Sequence, residues 1–348
     1  MAISELEPMP ATEGELEERL SRPTPALLET LTRLDGDILV LGVGGKMGPS
    51  LARMARRGLD AVGKKSRVIG VARFSDKSVE SALTAVGVEA HRCDLMDRKE
   101  VAKLPDARNV VYMAGLKFGT SRVPEQTWAM NTLAPAIVAE RYYRSRMVVF
   151  STGCVYPNTP VPQGGSLEQD ALEPLGEYAN ACVARERLFH YFAVHYGIPI
   201  VLLRLNYAID LRYGVLLDVA QRVATETPID LTMGHVNVIW QGDANAWALQ
   251  SLELANVVPP IALNVTGPET LSIRYLALRF GDLLDKTPLF TGTEAETALL
   301  SNAGRAFGQF GYPTVTLEQM IHWVAAWVRQ GGRTLNKPTH FEARDGRF

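Results

Sequence analysis

The stretch Asp37-Ile38-Leu39-Val40-Leu41-Gly42-Val43-Gly44-Gly45-Lys46-Met47-Gly48 decides how this chain is read. Its first half is a short, unbroken apolar run, the pattern of a strand buried on both faces. Its second half carries Gly42, Gly45 and Gly48 at GxxGxxG spacing. Glycines so placed permit a tight turn and let backbone N–H groups approach a pyrophosphate, which then sits on the N-terminus of the helix that follows. A glycine triplet alone is weak evidence. Here it follows the first strand of a βαβ run, which is the context the motif needs.

Outward from that stretch, apolar runs at 37–43, 67–72, 88–93, 109–114, 147–151 and 198–205 alternate with longer amphipathic stretches at 46–57, 79–86, 98–103, 125–144 and 177–196. This alternation predicts an α/β fold, a Rossmann-type doubly wound parallel sheet with helices on both faces. Pro135 should kink the fourth of these helices. Thr24-Pro25 reads as an N-cap and first helical position, opening a helix that stops near Gly36. Residues 1–35 are therefore an acidic, poorly anchored arm and a helix. Residues 36–205 form the dinucleotide-binding domain, with a returning strand at 236–240. Residues 206–330 are mainly a smaller C-terminal substrate lobe, with helices expected at 214–225, from 243, at 273–284, 294–307 and 317–328, and a strand at 261–265. Residues 331–348 read as a tail.

Composition narrows the function classes. The chain has 348 residues, 47% hydrophobic and 21% charged, enough apolar material for a large core. Lys plus Arg is 36 against 38 for Asp plus Glu, giving a net charge of −2 and no basic footprint for nucleic acid. No apolar run reaches membrane-span length. The acidic N-terminus is the opposite of a signal-peptide start. Three separated cysteines (Cys93, Cys154, Cys182) without CxxC spacing fit a reducing cytoplasm and no metal site.

The second strand ends Val68-Ile69-Gly70-Val71-Ala72-Arg73. A carboxylate near this point would accept from an adenosine 2′-hydroxyl, whereas the Arg73 guanidinium suits a 2′-phosphate, so NADP is favoured over NAD. Cys93-Asp94-Leu95 places a carboxylate where an adenine amino group could donate to it.

Further segments fall into place along the chain: Ala114-Gly115-Leu116-Lys117, Asn131, Phe150-Ser151-Thr152-Gly153-Cys154-Val155-Tyr156, Tyr178, Asp243, and Leu263-Asn264-Val265-Thr266-Gly267-Pro268-Glu269. In this order and spacing the chain resembles an extended short-chain dehydrogenase/reductase of the NAD-dependent epimerase/dehydratase family over about residues 37–330. The Ala-Gly-Leu-Lys stretch is similar to that of UDP-galactose 4-epimerases. The resemblance implies that Gly42, Gly45, Lys46, Met47 and Gly48 line a pyrophosphate, and Asp94 and Leu95 the adenine. Ala114, Gly115 and Lys117 would touch the middle of the cofactor, with Ser151, Tyr178, Cys182 and Leu205 also on it. Asn131 would brace the turn after the fourth strand. Thr152 and Tyr178 match the catalytic hydroxyl pair. Cys154, Tyr156, Asn206, Tyr207 and Arg212 are the candidates for a sugar-like substrate. Helices 125–144 and 177–196 would form a homodimer interface.

The chain also departs from the family. Where Tyr-x-x-x-Lys is the signature, it reads Tyr178-Ala179-Asn180-Ala181-Cys182. Four residues make one helical turn, so position 182 lies beside Tyr178. An ammonium at ~5 Å, with an effective dielectric of about 20, would favour the phenolate by roughly 3 kcal/mol, about two pKa units. A neutral thiol supplies none of this. Three readings stay open. Tyr178 acts as an acid or hydrogen-bond donor; or another basic group, Lys117 or Arg185, substitutes; or the chain is a dinucleotide-binding sensor or scaffold without turnover. A second departure lies at 234–243, which lacks the Arg that nucleotide-sugar members commonly carry and offers His235 and Asn237 instead. A third is Arg204-Leu205-Asn206-Tyr207. These departures favour a free sugar, a sugar acid or another small polyol. The expected activity is NAD(P)-dependent hydride transfer at a sugar-like carbinol. Epimerisation, dehydration and plain oxidoreduction are left open.

Overall fold

The structure, a computed structural model, describes residues 7–117 and 123–346. Seven strands form the central sheet: β1 (Ile38–Leu41), β2 (Val68–Ala72), β3 (Glu89–Arg92), β4 (Asn109–Tyr112), β5 (Arg146–Thr152), β6 (Ile200–Leu205) and β7 (Ile261–Val265). Their order is β7-β6-β5-β4-β1-β2-β3, and every pairing is parallel. The order reverses between β1 and β4, and a crevice opens at the carboxyl ends of strands at such a switch point.

The helices are α1 (Glu13–Leu20), α2 (Pro25–Arg33), α3 (Gly48–Ala61), α4 (Lys77–Ala85), α5 (Arg98–Val101), α6 (Pro124–Trp128), α7 (Ala134–Arg141), α8 (Gly176–Tyr196), α9 (Val215–Ala224), α10 (Gln241–Leu254), α11 (Ile273–Leu284), α12 (Gly304–Phe310) and α13 (Leu317–Arg329). Alternate strand residues point to opposite faces, so Ile38, Val40, Val148 and Val201 pack with α2, α3 and α10, while Leu39, Leu41, Val149 and Leu202 pack with α7 and α8. Thr24 caps α2 by accepting from Leu27 N–H, with Pro25 inside the first turn.

The bend expected at Pro135 is a π-turn, Ala129–Leu133, joining α6 to α7. Proline has no N–H to return to the carbonyl four residues back. The Ala134 N–H instead reaches the Ala129 carbonyl, and the widened turn directs Asn131 into the protein interior.

Four expectations are corrected. Within the described residues the N-terminal arm is anchored. Leu16 and Leu20 are fully buried in the lobe core, and the Glu7 carbonyl accepts from Trp323 Nε1 and Gln319 Nε2, each at 2.9 Å. The C-terminal tail is docked as well. Phe341 is fully buried, Thr339 Oγ1 donates to Asp218 at 2.6 Å, and Arg344 donates to the Thr297 carbonyl at 2.7 Å. Residues 236–240 do not return to the main sheet. His235–Val236 pairs with Leu271–Ser272, Ile239–Trp240 pairs with Ala208–Ile209, and the strand that closes the sheet is β7. The helix expected over 294–307 is a short strand, Thr297–Ala298, followed by α12.

Candidate functional site

Two adjoining cavities of about 250 and 260 Å³ lie at the switch point and share Gly42, Gly45, Met113, Ala114 and Gly115. The glycine turn can take this shape only without side chains. Gly42 has φ +88°, and a Cβ there would lie 2.6 Å from Ala114 N. A Cβ on Gly48 would lie 2.3 Å from the Val43 carbonyl oxygen. No side chain caps the N-terminus of α3, so its first N–H groups face the turn unclaimed by any cap. Lys46, Lys117 and Arg185 line the first cavity, and no carboxylate is among its described lining residues. Glycine turn, uncapped helix and cations together fit a pyrophosphate.

Arg73, Phe74, Ser75, Asp76, Cys93, Asp94 and Leu95 line the second cavity, where an adenosine could lie. Arg73 is exposed at its rim. The one carboxylate near the end of β2, Asp76, already accepts from Ser78 N–H at 2.8 Å and Ser78 Oγ at 2.6 Å. Asp94 accepts from Met96 N–H at 3.0 Å.

The first cavity gathers Ser151, Thr152, Cys154, Tyr178, Leu205, Asn206 and Tyr207, together with Phe150, Ala208 and Tyr213, which the sequence reading left out. Thr152 ends β5 and accepts from Cys154 N–H at 3.2 Å. Ser151 Oγ donates to Glu186 Oε1 at 2.5 Å. Tyr178 stands in the first turn of α8 against Cys154, Ala179 and Cys182, and burial holds its phenol well above the usual range. Lys117 Nζ lies 6.0 Å from the centre of the Tyr178 ring. Tyr207 carries φ +45°, a left-handed conformation uncommon for a bulky residue and retained here at the cavity wall.

Lys46 is half-buried, with its stem in the cavity and its ammonium enclosed. Nζ donates to the Ala208 carbonyl at 2.9 Å and lies 4.0 Å from the Tyr213 ring centre. Desolvation pushes its pKa down to about 7.

Four proposed site residues do not line this cavity: Tyr156, Arg212, Asn131 and Cys182. Tyr156 is buried below it, donating to Asn264 Oδ1 at 2.9 Å and accepting from Arg204 Nη1 at 2.7 Å; burial pushes its pKa up to about 12. Arg212 turns toward the N-terminal arm, pairing with Glu17 at 2.7 Å and Asp210 at 3.1 Å. Asn131 sits behind the wall, donating from Nδ2 to the Leu116 carbonyl at 3.0 Å. Cys182 is fully buried beneath Tyr178, against Val155 and Tyr156. Asn237 is also structural, donating to the Glu269 carbonyl and accepting from Ser301 N–H. The polar loop that begins at Ser166 is pinned there: Ser166 N–H donates to the Leu300 carbonyl, and the Ser166 carbonyl accepts from Asn302 N–H.

A further cavity, about 430 Å³, lies elsewhere, between the arm and the lobe. Its polar groups serve each other: Asp243 accepts from Thr314 Oγ1 at 2.6 Å and Val315 N–H at 3.1 Å, and Arg19 pairs with Glu7. Among the described residues there is no group of three or more His, Cys, Asp or Glu able to hold a metal ion, and no helix long and apolar enough to cross a membrane.

Residues 38–209 match the model of the NAD dependent epimerase/dehydratase family. No curated protein sequence matches the chain. Among solved structures, UDP-glucose 4-epimerase of Thermotoga maritima with UDP-glucose superposes with a TM-score of 0.67 at 18% identity, over 85% of this chain and 99% of that one. UDP-glucuronic acid 4-epimerase of Bacillus cereus, in complex with UDP-glucuronic acid and NAD, gives 0.68 at 18%, over 84% and 99%. UDP-glucose 4-epimerase of Thermus thermophilus in complex with NAD gives 0.67 at 19%, over 84% and 99%. At these identities the likeness is one of fold.

Proposed function

Residues 38–209 belong to the NAD dependent epimerase/dehydratase family, and on that premise we propose that the chain is a nicotinamide-dependent enzyme acting on a sugar-like alcohol. The observation that carries this reading is the convergence of Thr152 and Tyr178 on the cavity that the glycine turn also lines. Gly42, Gly45, Lys46, Met47 and Gly48 would hold the pyrophosphate. Ala114, Gly115 and Lys117 would hold the central part of the cofactor, and Asp94 and Leu95 the adenine. When bound, an oxidised nicotinamide supplies a hydride acceptor for the carbinol carbon. Thr152 donates a hydrogen bond to the reacting oxygen, and Tyr178, in its ionised phenolate form, takes the hydroxyl proton as the carbonyl forms, the resulting phenol returning it in the reverse direction. Asn206 and Tyr207 contact the substrate from the lobe side.

Arg73 at the rim, with Asp76 already engaged by Ser78, favours NADP over NAD. The stretch 234–243 carries no arginine for a diphosphate, and its Asn237 is already engaged by the Glu269 carbonyl and Ser301 N–H, which favours a small sugar, sugar acid or polyol over a nucleotide sugar. Tyr191, Val194 and Tyr196 on α8, with Leu133 and Tyr143 beside them, leave large apolar groups exposed, which favours a homodimer through this face. Three free buried thiols suit a reducing cytoplasm. The contrasting reading, a dinucleotide-binding scaffold without turnover, gains no support from the relatives in fold. The test is a panel of sugars, sugar acids and polyols assayed for NADP and NAD reduction, with Tyr178→Phe beside the wild type. Turnover that falls at least about a hundredfold in the variant supports the reading. Equal inertness of both proteins across the panel counts against it.

A further inference from the structure

The register of α8 puts Tyr178, Cys182 and Arg185 at i, i+4 and i+7, one stripe along the helix. The middle position holds a thiol that is fully buried and pushed toward its neutral form by desolvation. One turn further on, the Arg185 guanidinium is 5% exposed and lines the same cavity as Tyr178. Nη1 donates to the Phe150 carbonyl at 2.8 Å, and Nη2 donates to Asn131 Oδ1. Nε is buried without a hydrogen-bond partner.

Arg185 differs from the other buried guanidinium nearby. Arg204 is neutralised by Glu186 at 2.8 Å, whereas no carboxylate among the described residues is ion-paired with Arg185. Glu186, next along the helix, acts on Arg185 only through space, without a direct ion pair; a buried charge so weakly compensated is costly to fold around, and it strengthens every interaction with a negative charge that develops beside it. Its position is also prepared. A Cβ on Gly115 would lie 2.6 Å from Nη2, so the glycine makes room for the guanidinium at the cavity edge. The π-turn aims Asn131 at it, and the Leu116 carbonyl fixes Asn131 in turn.

We propose that Arg185 is the positioning residue that stabilises the ionised phenol of Tyr178, doing from the second helical turn what a cation at position 182 would do from the first. This rests on the enzymatic reading above. Among the described residues, the charged or titratable groups acting on Tyr178 include Cys182 and Arg185 on its own helix, Cys154 after β5 and Lys117 after β4. The two thiols oppose ionisation and Arg185 favours it. Lys117, over the ring face, is the rival cation.

The test is an ultraviolet titration of the Tyr178 phenol in the cofactor-free protein, taken as the difference between each protein and its Tyr178→Phe counterpart. The pH profile of turnover is measured alongside. Arg185→Gln keeps an amide donor for the Phe150 carbonyl and Asn131 but removes the charge. We expect its phenol midpoint, and the rising limb of its profile, to move up by about one pH unit or more. Arg185→Lys should stay near wild type, and Lys117→Met should leave the midpoint unmoved. An unmoved midpoint in Arg185→Gln overturns the proposal. So does an upward move in Lys117→Met. If Arg185→Gln does not fold, Lys117→Met decides alone: an unmoved midpoint supports Arg185, and a raised one assigns the role to Lys117. A shifted phenol in a protein without turnover on any substrate leaves the electrostatic assignment standing and removes only the enzymatic reading.

Discussion

Lys46 crosses from the glycine turn to the substrate lobe: its ammonium lies 4.0 Å from the centre of the Tyr213 ring and 2.9 Å from the Ala208 carbonyl. It is thus an enclosed cation, with no carboxylate in contact among the described residues, in the cavity that would take a pyrophosphate.

A pH signature follows for the cofactor-free protein. The Lys46 pKa falls from an ordinary 10.5 to about 7 on folding. Between those values the unfolded chain binds more protons, so stability should rise with pH across that window. The full effect is at most about 5 kcal/mol, and less because the stem is half-buried. Urea melts of wild type and Lys46→Met at pH 7 and pH 9.5 should converge at the higher pH, with the variant the more stable at pH 7. An anionic ligand reverses the preference by favouring the ammonium, so dinucleotide affinity should weaken above neutrality in wild type and not in Lys46→Met.

The buried pair Arg204–Glu186 supports the floor of the site, with Ser151 and Tyr156 bonded to it. Removing one partner leaves the other charge buried. Glu186→Gln and Arg204→Met should each destabilise the protein by about 3–5 kcal/mol in denaturant melts. A change below about 1 kcal/mol would mean that water already reaches the pair.

Much of this architecture was legible beforehand because the informative residues act locally. The glycine spacing, the Thr24-Pro25 cap and the apolar runs each report the conformation of their own segment. The misreadings involve partners far away in sequence. Residues 7–23 look loose until Leu16 and Leu20 meet the lobe core and the Glu7 carbonyl meets Trp323. Arg212 and Tyr156 look like site residues because their partners Glu17 and Asn264 cannot be inferred from spacing. Two-residue strands such as Ile239–Trp240 carry too little pattern to reveal their pairing. Arg185 could be found, being two turns after Tyr178, but that no carboxylate among the described residues is ion-paired with it became visible only in three dimensions.

Arg73 should decide between the two pyridine dinucleotides. Arg73→Ser should weaken NADP binding at least about tenfold, the loss of one charge-assisted phosphate contact, and leave NAD binding within about twofold. Calorimetry with both dinucleotides measures this, and equal losses for the two would remove Arg73 from the ribose site.

The exposed face of α8 should mediate self-association. Tyr191 is 59% exposed and Val194 is 58% exposed. Light scattering should give a dimer for wild type and a monomer for Tyr191→Glu, with the helical content unchanged. A monomeric wild type at tens of micromolar would remove the interface.

The account depends most on the turn at 42–48. Calorimetric titration of the purified protein with NADP and NAD, oxidised and reduced, tests it directly. One site per chain is predicted for at least one of the four, with affinity lost in Gly42→Ala, where the new Cβ would meet Ala114 N at 2.6 Å. Absence of binding for all four at millimolar concentration, in a protein shown to be folded, would contradict the account.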